Sequence, residues 1–297
     1  MPLFLCSPEN VATVQDILNI LQDIAADDIA ETWDNVGLLI GSPENRTSSV
    51  LLALDPTTDL IRQAQDVGAE LILTHHPIIF HPLKALRTDQ PTAHFIQSAL
   101  QADINVIGCH TNLDATPGGV SDVLAQSLHL ADIEPLVAGH GCGSGCGLGR
   151  IGTLPAHLSP TAFIQVVNSG IAPPWLLEAG ARPEQISRVA VCGGSCSDLA
   201  ETALAAGADV FLTAEVKHSV ARWAEAAGLW IIDGGHFATE NPAMPALRHL
   251  LADHLHQAGL AVRIFVADQA PPLQLIDQDR SFANNNQPES ISARTDT

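Results

Sequence analysis

The chain has 297 residues, of which 46% are hydrophobic, and its 33 acidic against 13 basic residues give a formal net charge of −20. This length and hydrophobic content exclude a disordered chain and allow one or two domains with a large core. The negative charge repels a phosphate backbone, and the absence of Tyr with only 4% aromatic residues disfavours stacking platforms for single strands, so nucleic acid is not an expected partner. The negative charge is still compatible with small anionic substrates if a metal ion supplies positive charge locally.

Targeting signals and membrane spans are not evident. No apolar run approaches the roughly 18 residues that cross a bilayer, and the opening stretch MPLFLCSPENVATVQ lacks the basic residues of a secretory signal. These features predict a cytoplasmic protein without membrane contact. Six cysteines, at positions 6, 109, 142, 146, 192 and 196, are therefore expected to be reduced thiols, and the Gly-rich spacing of the last four does not favour a zinc site.

The first part of the chain alternates between helical and strand patterns. Ser121 is the predicted N-cap of the last helix in this part. The predicted elements are a helix over residues 9–25, strands over 36–40 and 50–55, a helix over 56–67, a strand over 71–74, a helix over 92–101, a strand over 104–110 and a helix over 121–128.

The middle of the chain is Gly-rich, and the alternation then returns. Residues 139–150 contain too much Gly to predict regular structure, and the GxGxxG match beginning at Gly147 follows no apolar strand and precedes no helix, so it is not a dinucleotide fingerprint. The polar, Asn-rich tail from residue 277 is predicted to be disordered. The later elements are helices over residues 159–170, 198–207, 218–228 and 242–258 and strands beginning near 188, 208, 229 and 261.

The two halves of the sequence resemble each other. The segment DLIRQAQDVGAELILT, residues 59–74, aligns without gaps on DLAETALAAGADVFLT, residues 198–213. This repeat predicts an α/β fold of two related halves, with mixed sheets flanked by helices and a cleft between the halves. The predicted divisions are a first half over residues 1–130, a connecting segment over 131–187, a second half over 188–276 and a tail over 277–297.

Two adjacent histidines, His75 and His76, follow the buried strand over residues 71–74, and Pro77 prevents that strand from continuing. Open α/β sheets place ligands at the carboxyl ends of parallel strands. Neighbouring residues of an extended chain point to opposite sides, so the pair serves two adjacent ions, or one ion if the backbone turns. For an isolated pair the alternative is one buried, hydrogen-bonded histidine and one exposed histidine.

Each half also carries a histidine with an acidic residue four positions later. These pairs lie in HTNLD and HFATE, after the predicted strands over 104–110 and 229–236. Each acidic residue also has a structural explanation when it is considered alone. Asp114 is explained as a turn or cap residue, and Glu240 as a favourable charge in the first turn of a helix. Their convergence at three strand ends favours a metal site. The predicted metal ligands are His75, His76, Asp114, His236 and Glu240, with His110 as a sixth candidate.

Imidazoles with carboxylates form a donor set suited to zinc, iron, manganese, cobalt or nickel, and less to magnesium or calcium. Five or six ligands exceed the needs of one tetrahedral ion. Two divalent ions about 3.5–4 Å apart, bridged by a carboxylate, explain the number better.

Six motifs in order make the chain similar to the NIF-three-like family, whose members are labelled GTP cyclohydrolase 1 type 2 homologs. The resemblance extends from about residue 10 to 267. The motifs are WDNVGLLIG (33–41), LTHHPIIF (73–80), HTNLDATPGGVSD (110–122), GLGRIGTL (147–154), VAVCGGSCSDL (189–199) and DGGHFATE (233–240).

The resemblance implies a dinuclear metal centre at the five matching ligand positions, with Glu240 touching both ions and His110 beside the substrate rather than on a metal. It also implies ring-shaped homohexamers. One motif departs from the family pattern: the chain has Lys217-His218-Ser219-Val220-Ala221 where members often carry a second histidine and an acid. A role of those two groups in substrate binding or proton transfer is therefore not expected here.

The predicted function is that of a metal-dependent hydrolase that opens the purine ring of GTP or a related nucleotide with metal-activated water. His110 is the candidate proton shuttle. Two alternatives stay open, a metal-dependent phosphoesterase and a non-enzymatic metal-binding regulatory or scaffold ring.

Overall fold

The structure, a computed structural model, describes residues 11–139 and 145–276. Its first part alternates helices and strands, as the apolar periodicity predicts. A capping box opens the first helix, because Thr13 and Asp16 each accept a hydrogen bond from the other's backbone amide. The elements are α1 (Val14–Ile24), β1 (Gly37–Ile40), β2 (Ser49–Ala53), α2 (Thr58–Val67), β3 (Leu71–Thr74), α3 (Pro91–Gln101), β4 (Asn105–Gly108), α4 (Thr111–Ala115) and α5 (Val120–Ser127).

The later part of the chain repeats this alternation after a group of antiparallel strands. Its elements are β5 (Ala131–Ala138), β6 (Gly147–Leu158), α6 (Pro160–Ile171), β7 (Leu177–Ala179), β8 (Ile186–Val191), α7 (Ala200–Ala205), β9 (Val210–Thr213), α8 (His218–Ala227), β10 (Trp230–Asp233), α9 (His236–Glu240), α10 (Ala243–Gln257) and β11 (Arg263–Val266).

Two mixed sheets flanked by helices form the framework, which confirms the predicted fold class. The first sheet has the strand order β1-β4-β3-β2-β11 and the second β5-β6-β8-β9-β10-β7. Parallel neighbours occupy the centre of each sheet, β2, β3 and β4 in one and β8, β9 and β10 in the other. Apolar clusters cover both faces of each sheet. Within the described ranges, no helix is long and apolar enough to cross a bilayer.

The sequence repeat corresponds to matching positions in the two sheets. Strands β3 and β9 occupy the aligned residues and end in buried threonines, Thr74 and Thr213. Strands β4 and β10 are each flanked by an antiparallel edge strand, β1 and β7, and are followed by the five-residue helices α4 and α9. The carboxyl ends of corresponding strands therefore carry corresponding short helices, and this edge holds the candidate site.

The C-terminal helix and strand return to the first sheet. Strand β11 pairs in parallel with β2, and α10 packs against α1 in a core that includes Ile17, Leu21 and Leu251. In the sequence these two elements follow the second half, but the hydrogen bonds of β11 join it to the sheet of the first half. The C-terminal segment thereby ties the two halves together.

The Gly-rich segment is more regular than the sequence predicts. Residues 140–144 lie outside the described part of the chain, but β6 begins at Gly147 and pairs with β5 and β8. A Cβ atom at Gly147 would lie 2.0 Å from the carbonyl oxygen of Val137. Close approach of the two backbones, rather than a flexible turn, requires glycine at this position.

Two local expectations are wrong. Ser121 does not cap α5, because the N-cap is Gly119 and Ser121 is buried within the helix. The side chain of Asp122 instead accepts a hydrogen bond from Gly118 N at 2.8 Å and stabilises the helix start. Cys146 is disulfide-bonded rather than a reduced thiol.

Candidate metal centre

The histidines after β3 continue the hydrogen bonding of that strand. His75 N donates to Ala53 O at 3.0 Å, and His76 N donates to Leu54 O at 2.9 Å. The hydroxyl of Thr74 donates to His76 O at 2.8 Å and fixes the turn that follows. The side chain of His75 is fully buried, whereas that of His76 is 21% exposed. The backbone therefore holds both rings in place, one deeper than the other.

The short helices after β4 and β10 supply the other predicted ligands. Asp114 lies within α4, and α9 begins at His236 and ends at Glu240. Gly235 precedes α9 with a φ of +78°, and its amide donates to Asp233 Oδ1 at 3.0 Å. Because residues i and i+4 share a helix face, His236 and Glu240 point into the same space.

Two groups of donor atoms meet at one carboxylate. In the first group, His75 Nε2 lies 3.6 Å from Asp114 Oδ1 and 4.0 Å from Glu240 Oε1. In the second group, Glu240 Oε2 lies 3.2 Å from His76 Nε2 and 3.0 Å from His236 Nε2. The donor atoms of each group lie within 4.8 Å of one another, a spacing compatible with one ion per group. Glu240 faces both groups.

Hydrogen bonds turn one nitrogen of each ring toward the centre. An acceptor at Nδ1 holds the ring proton there and leaves a lone pair on Nε2, which is the usual arrangement around metal-bound histidines. These Nδ1 contacts are His75 to Cys109 O at 3.0 Å, His76 to Asp55 Oδ1 at 2.8 Å and His236 to Glu215 Oε1 at 2.9 Å.

One buried atom of this cluster, His75 Nε2, has no hydrogen-bond partner among the described residues, and Glu240 Oε2 has only two histidine nitrogens beside it. Buried polar atoms are rarely left unsatisfied in folded proteins. A cation bound in each group would give both atoms a partner, and the nitrogen and carboxylate donors suit zinc, iron, manganese, cobalt or nickel. The residues present therefore fit a metal centre.

Burial dominates the protonation of the first group. It lowers the pKa of His75 to about 3, so this imidazole is neutral and available as a ligand at physiological pH. Burial, together with the charge of Glu240, raises the pKa of Asp114 well above its usual range. The Asp114 shift reflects a buried pair of carboxyl groups that lacks positive charge, which a bound cation would supply.

In the second group, neighbouring carboxylates rather than burial determine the pKa values of the histidines. Burial alone lowers the pKa of a histidine, but the carboxylates beside these two rings outweigh it. Asp55 and Glu240 raise the pKa of His76 to about 10. Glu240 and Glu215 raise the pKa of His236 to about 9. Burial raises the pKa of Glu240, yet the contacts with His236 and His76 outweigh it and hold that pKa well below its usual range. In this group protons occupy positions that metal ions would take.

His110 stands at the edge of the centre. Its Nδ1 lies 2.9 Å from Asp34 Oδ1, and its donor atoms group with those of His75 and His76. Burial raises the pKa of Asp34, but hydrogen bonds from His110 and Thr111 outweigh it and hold the pKa well below its usual range. A charged, buried Asp34 thus orients the His110 ring toward the cluster.

The structure brings all six predicted site residues together and adds three that the sequence analysis missed. Asp34, Asp55 and Glu215 each accept a hydrogen bond from the Nδ1 of a site histidine. Asp55 and Glu215 follow the strands β2 and β9 closely, so acidic residues just past strand ends were the available signal. Glu215 also has a φ of +53°, a strained conformation that is common at functional sites.

Other histidines have different surroundings. In the described part of the chain, neither His81 nor His94 joins a group of ligating atoms. His249 and His254 on α10 contact backbone carbonyls of their own helix through Nδ1, at 2.7 Å and 2.9 Å. These contacts explain both residues without a ligand.

Two mixed sheets flanked by helices, with a cluster of histidines and carboxylates after the carboxyl ends of their strands, define an α/β protein with candidate metal-ligand groups. The family model of Duf34/NIF3 (NGG1p interacting factor 3) matches residues 12–272. The chain belongs to this family, as the six motifs predict.

Two bacterial relatives share a name that refers to GTP cyclohydrolase. A Clostridium perfringens protein named GTP cyclohydrolase 1 type 2 homolog is 35% identical over 236 residues, covering 78% of this chain and 88% of its own length. A Nostoc protein of the same name is 37% identical over 215 residues, covering 71% of this chain and 81% of its own.

Solved structures share the fold. A Staphylococcus aureus hypothetical protein superposes with a TM-score of 0.84 at 27% identity and covers 90% of this chain and 100% of its own. A Bacillus cereus protein related to NIF3 superposes with a TM-score of 0.85 at 23% identity and covers the same shares of both chains.

Proposed function

We propose that the chain binds two divalent metal ions between its halves and is a metal-dependent hydrolase of a small molecule. The observation that carries this proposal is the position of Glu240, whose two oxygens face two separate groups of donor atoms. One bridging carboxylate with nitrogen donors on either side is an arrangement that places two ions a few ångströms apart. His75 and Asp114 would hold one ion, and His76 and His236 the other.

Ions held by these residues would supply an acidified water and Lewis-acid activation of the substrate. The protein supplies the surroundings. Burial around His75 excludes bulk water from the deeper position, while the partial exposure of His76 and His236 leaves the outer position open to a substrate. Electrostatic interactions are stronger in such a partly dry site than in water.

His110 is the proposed proton carrier. Asp34 binds its Nδ1, so Nε2 faces the ligand groups and is free to accept a proton from the attacking water and to pass it to the leaving group. A histidine suits this role because its ordinary pKa lies close to neutral pH.

A purine nucleotide is the first substrate to test, because relatives are named GTP cyclohydrolase 1 type 2 homolog. In that reaction water adds to C8 of the purine, the imidazole ring opens, and a second water releases C8 as formate. The first water gives one proton to each of the two nitrogens bonded to C8. The second water gives one proton to the departing nitrogen, and the formic acid that forms loses its proton to solvent. These transfers require the proton carrier described above.

The test compares His75→Ala with His249→Ala in metal-supplemented protein. His249 is exposed on α10 and away from the site, so its variant is the matched control. We expect formate release from GTP by the wild type and by His249→Ala, with a loss of at least 100-fold in His75→Ala. Cleavage of a phosphodiester instead would identify a phosphoesterase. Two bound ions without turnover of either substrate would identify a non-enzymatic metal-binding protein and contradict the proposal.

A further inference from the structure

Two exposed aromatic rings lie beside the candidate metal centre. The side chains of Trp33 and Phe80 are 54% and 39% exposed, and their ring centroids lie 5.7 Å apart. In the described part of the chain, no other aromatic residue is among the exposed large hydrophobic side chains. Leaving apolar area in water is unfavourable, so a pair of exposed rings beside the candidate metal centre indicates a surface that a ligand covers.

The His110 ring connects this pair to the metal-ligand groups. Its centroid lies 6.1 Å from those of both Trp33 and Phe80. On its other side, it lies 5.1 Å from the His75 ring and 5.5 Å from the His76 ring. One imidazole therefore separates the exposed rings from the predicted ligands, and a ligand seated on the rings has its far edge at the candidate centre.

The loops that carry the two rings are fixed before any ligand arrives. The amide of Asn35 donates from Nδ2 to Ile79 O at 2.5 Å and so joins the two loops directly. The side chain of Asp34, next to Trp33, is fully buried and accepts hydrogen bonds from His110 Nδ1 and from the backbone amide and hydroxyl of Thr111. Rigid loops lower the ordering cost of binding, which is the property expected of a binding surface.

We propose that Trp33 and Phe80, whose planes are inclined at 54° to each other, form a ring platform for a flat heterocycle the size of a purine, which stacks on one ring and contacts the other with its edge. The inference rests on the proposed function, because it places the reacting part of that heterocycle at the metal-ligand groups. Stacking on an aromatic face suits such rings and needs no basic residue, which agrees with a chain of 13 Lys and Arg in all.

The exposed area favours a small ligand over a second copy of the chain. Rings that are about half exposed offer on the order of 100 Å² each. A stable protein interface requires about 800 Å² from each partner. The ring platform is therefore large enough for one heterocycle and too small for a self-association surface by itself.

The experiment measures binding of guanosine 5′-monophosphate and of ribose 5-phosphate to the full, metal-supplemented chain by isothermal titration calorimetry. Trp33→Ala, Phe80→Ala and Trp33→Phe are compared with Leu86→Ala. Leu86 is 63% exposed in the same region of the chain and is the control for loss of exposed apolar area. The metal content and molar mass of every variant are measured alongside.

We expect the wild type to bind guanosine 5′-monophosphate more tightly than ribose 5-phosphate. Loss of a stacking ring weakens binding of a base by about 5- to 100-fold, so Trp33→Ala and Phe80→Ala lose affinity for the nucleotide and not for the sugar phosphate. Trp33→Phe retains most of the affinity, and Leu86→Ala is unchanged. Metal content stays the same in all four variants.

Three results would overturn the inference. The first is that the wild type binds the two probes with equal affinity or binds neither. The second is that Trp33→Ala and Phe80→Ala bind the nucleotide as tightly as the wild type. The third is an altered molar mass in both Trp33→Ala and Leu86→Ala, because that change would identify a protein interface. Failure of the proposed function is recognised separately. In that case nucleotide binding depends on Trp33, but no turnover accompanies it.

Discussion

Glu240 is the residue on which both groups of the candidate centre depend. Its side chain is 3% exposed, and its oxygens lie within 4.0 Å of a histidine of each group. Glu240→Gln keeps the size of the side chain but removes the charge that compensates two cations. We expect it to reduce metal content from about two ions per chain to less than one, because both positions lose a ligand.

The comparison for Glu240→Gln is His75→Ala, which removes a ligand from one group and should retain about one ion. Elemental analysis of dialysed protein measures both ratios. Equal metal content in Glu240→Gln and the wild type would show that the carboxylate is not a ligand.

The protonation of His76 and His236 predicts how the metal-free protein responds to pH. Their pKa values are raised to about 10 and about 9 in the folded state, against about 6.5 in an unfolded chain. A raised pKa adds stability that is complete below the unfolded value and disappears as pH rises through the folded value. The two shifts together correspond to a loss of about 6 kcal/mol by the metal-free protein between pH 7 and pH 10.

Urea unfolding of chelator-treated protein at pH 7, 8.5 and 10 measures this loss. The metal-loaded protein is the control, because bound ions displace the same protons and should remove most of the decline. A metal-free protein whose stability stays constant or rises over this range would contradict the assignment of these protons.

Among individual residues, the sequence predicts the groups that face the centre better than the groups that support them. His75, His76 and Glu240 are recognisable because metal-binding side chains follow strand ends. Asp34 is not, because its role depends on a contact across 76 residues of the chain. Such pairings follow from the tertiary fold and leave no local pattern.

At the scale of elements, the loop after β8 forms one wall of the centre. Gly194 has a φ of +67°, and a Cβ atom there would lie 2.1 Å from Glu240 Oε1. We expect Gly194→Ala to displace the carboxylate and to reduce metal content by at least half. Gly228 is the matched control: its φ is +80°, and a Cβ atom would meet nothing within 4 Å.

Both alanine variants place a Cβ atom in the left-handed region, which costs about 1–2 kcal/mol. Only Gly194→Ala should also lose metal. Elemental analysis combined with urea unfolding separates the two effects, and a Gly194→Ala protein with normal metal content would show that this loop does not define the position of Glu240.

Strand β6 is held to the first half by a buried arginine. Arg150 is 1% exposed, and its Nε and second terminal nitrogen each lie 2.8 Å from an oxygen of Asp122. Replacing it with methionine leaves the Asp122 carboxylate without its ion-pair partner, which costs about 3–5 kcal/mol. Urea unfolding of Arg150→Met should show this loss. The exposed pair of Arg62 with Asp59 provides a control, Arg62→Met, whose stability should be nearly unchanged. Equal losses would contradict a role for the buried pair.

The sequence predicts which elements form better than how they pair. Strands β3 and β9 are located by apolar runs and by the repeat, and both end where the alignment ends. The short strand β7 and the polar strand β5 have no apolar run, and hydrogen bonds to neighbouring strands define them. The pairing of β11 with β2 joins residues more than two hundred positions apart, and no local pattern encodes such a partner.

At the scale of the whole molecule, the two halves share a fold but contribute different chemistry. The aligned positions after β3 and β9 carry His75-His76 in one half and Ala214-Glu215 in the other. The first half therefore presents two imidazoles, whereas Glu215 of the second half supports His236. A net charge of −20 adds a long-range field that attracts cations and repels polyanions, which suits a metal-binding protein.

The most direct test measures how many metal ions each chain binds and how far apart they lie. Crystals of the protein, stripped by chelator and reloaded with zinc or manganese, allow each ion to be located by anomalous scattering. Two ions about 3.5–4 Å apart, with Glu240 between them and His75 and His236 on opposite sides, are the predicted result. A single ion, or two ions that do not share Glu240, would contradict the account.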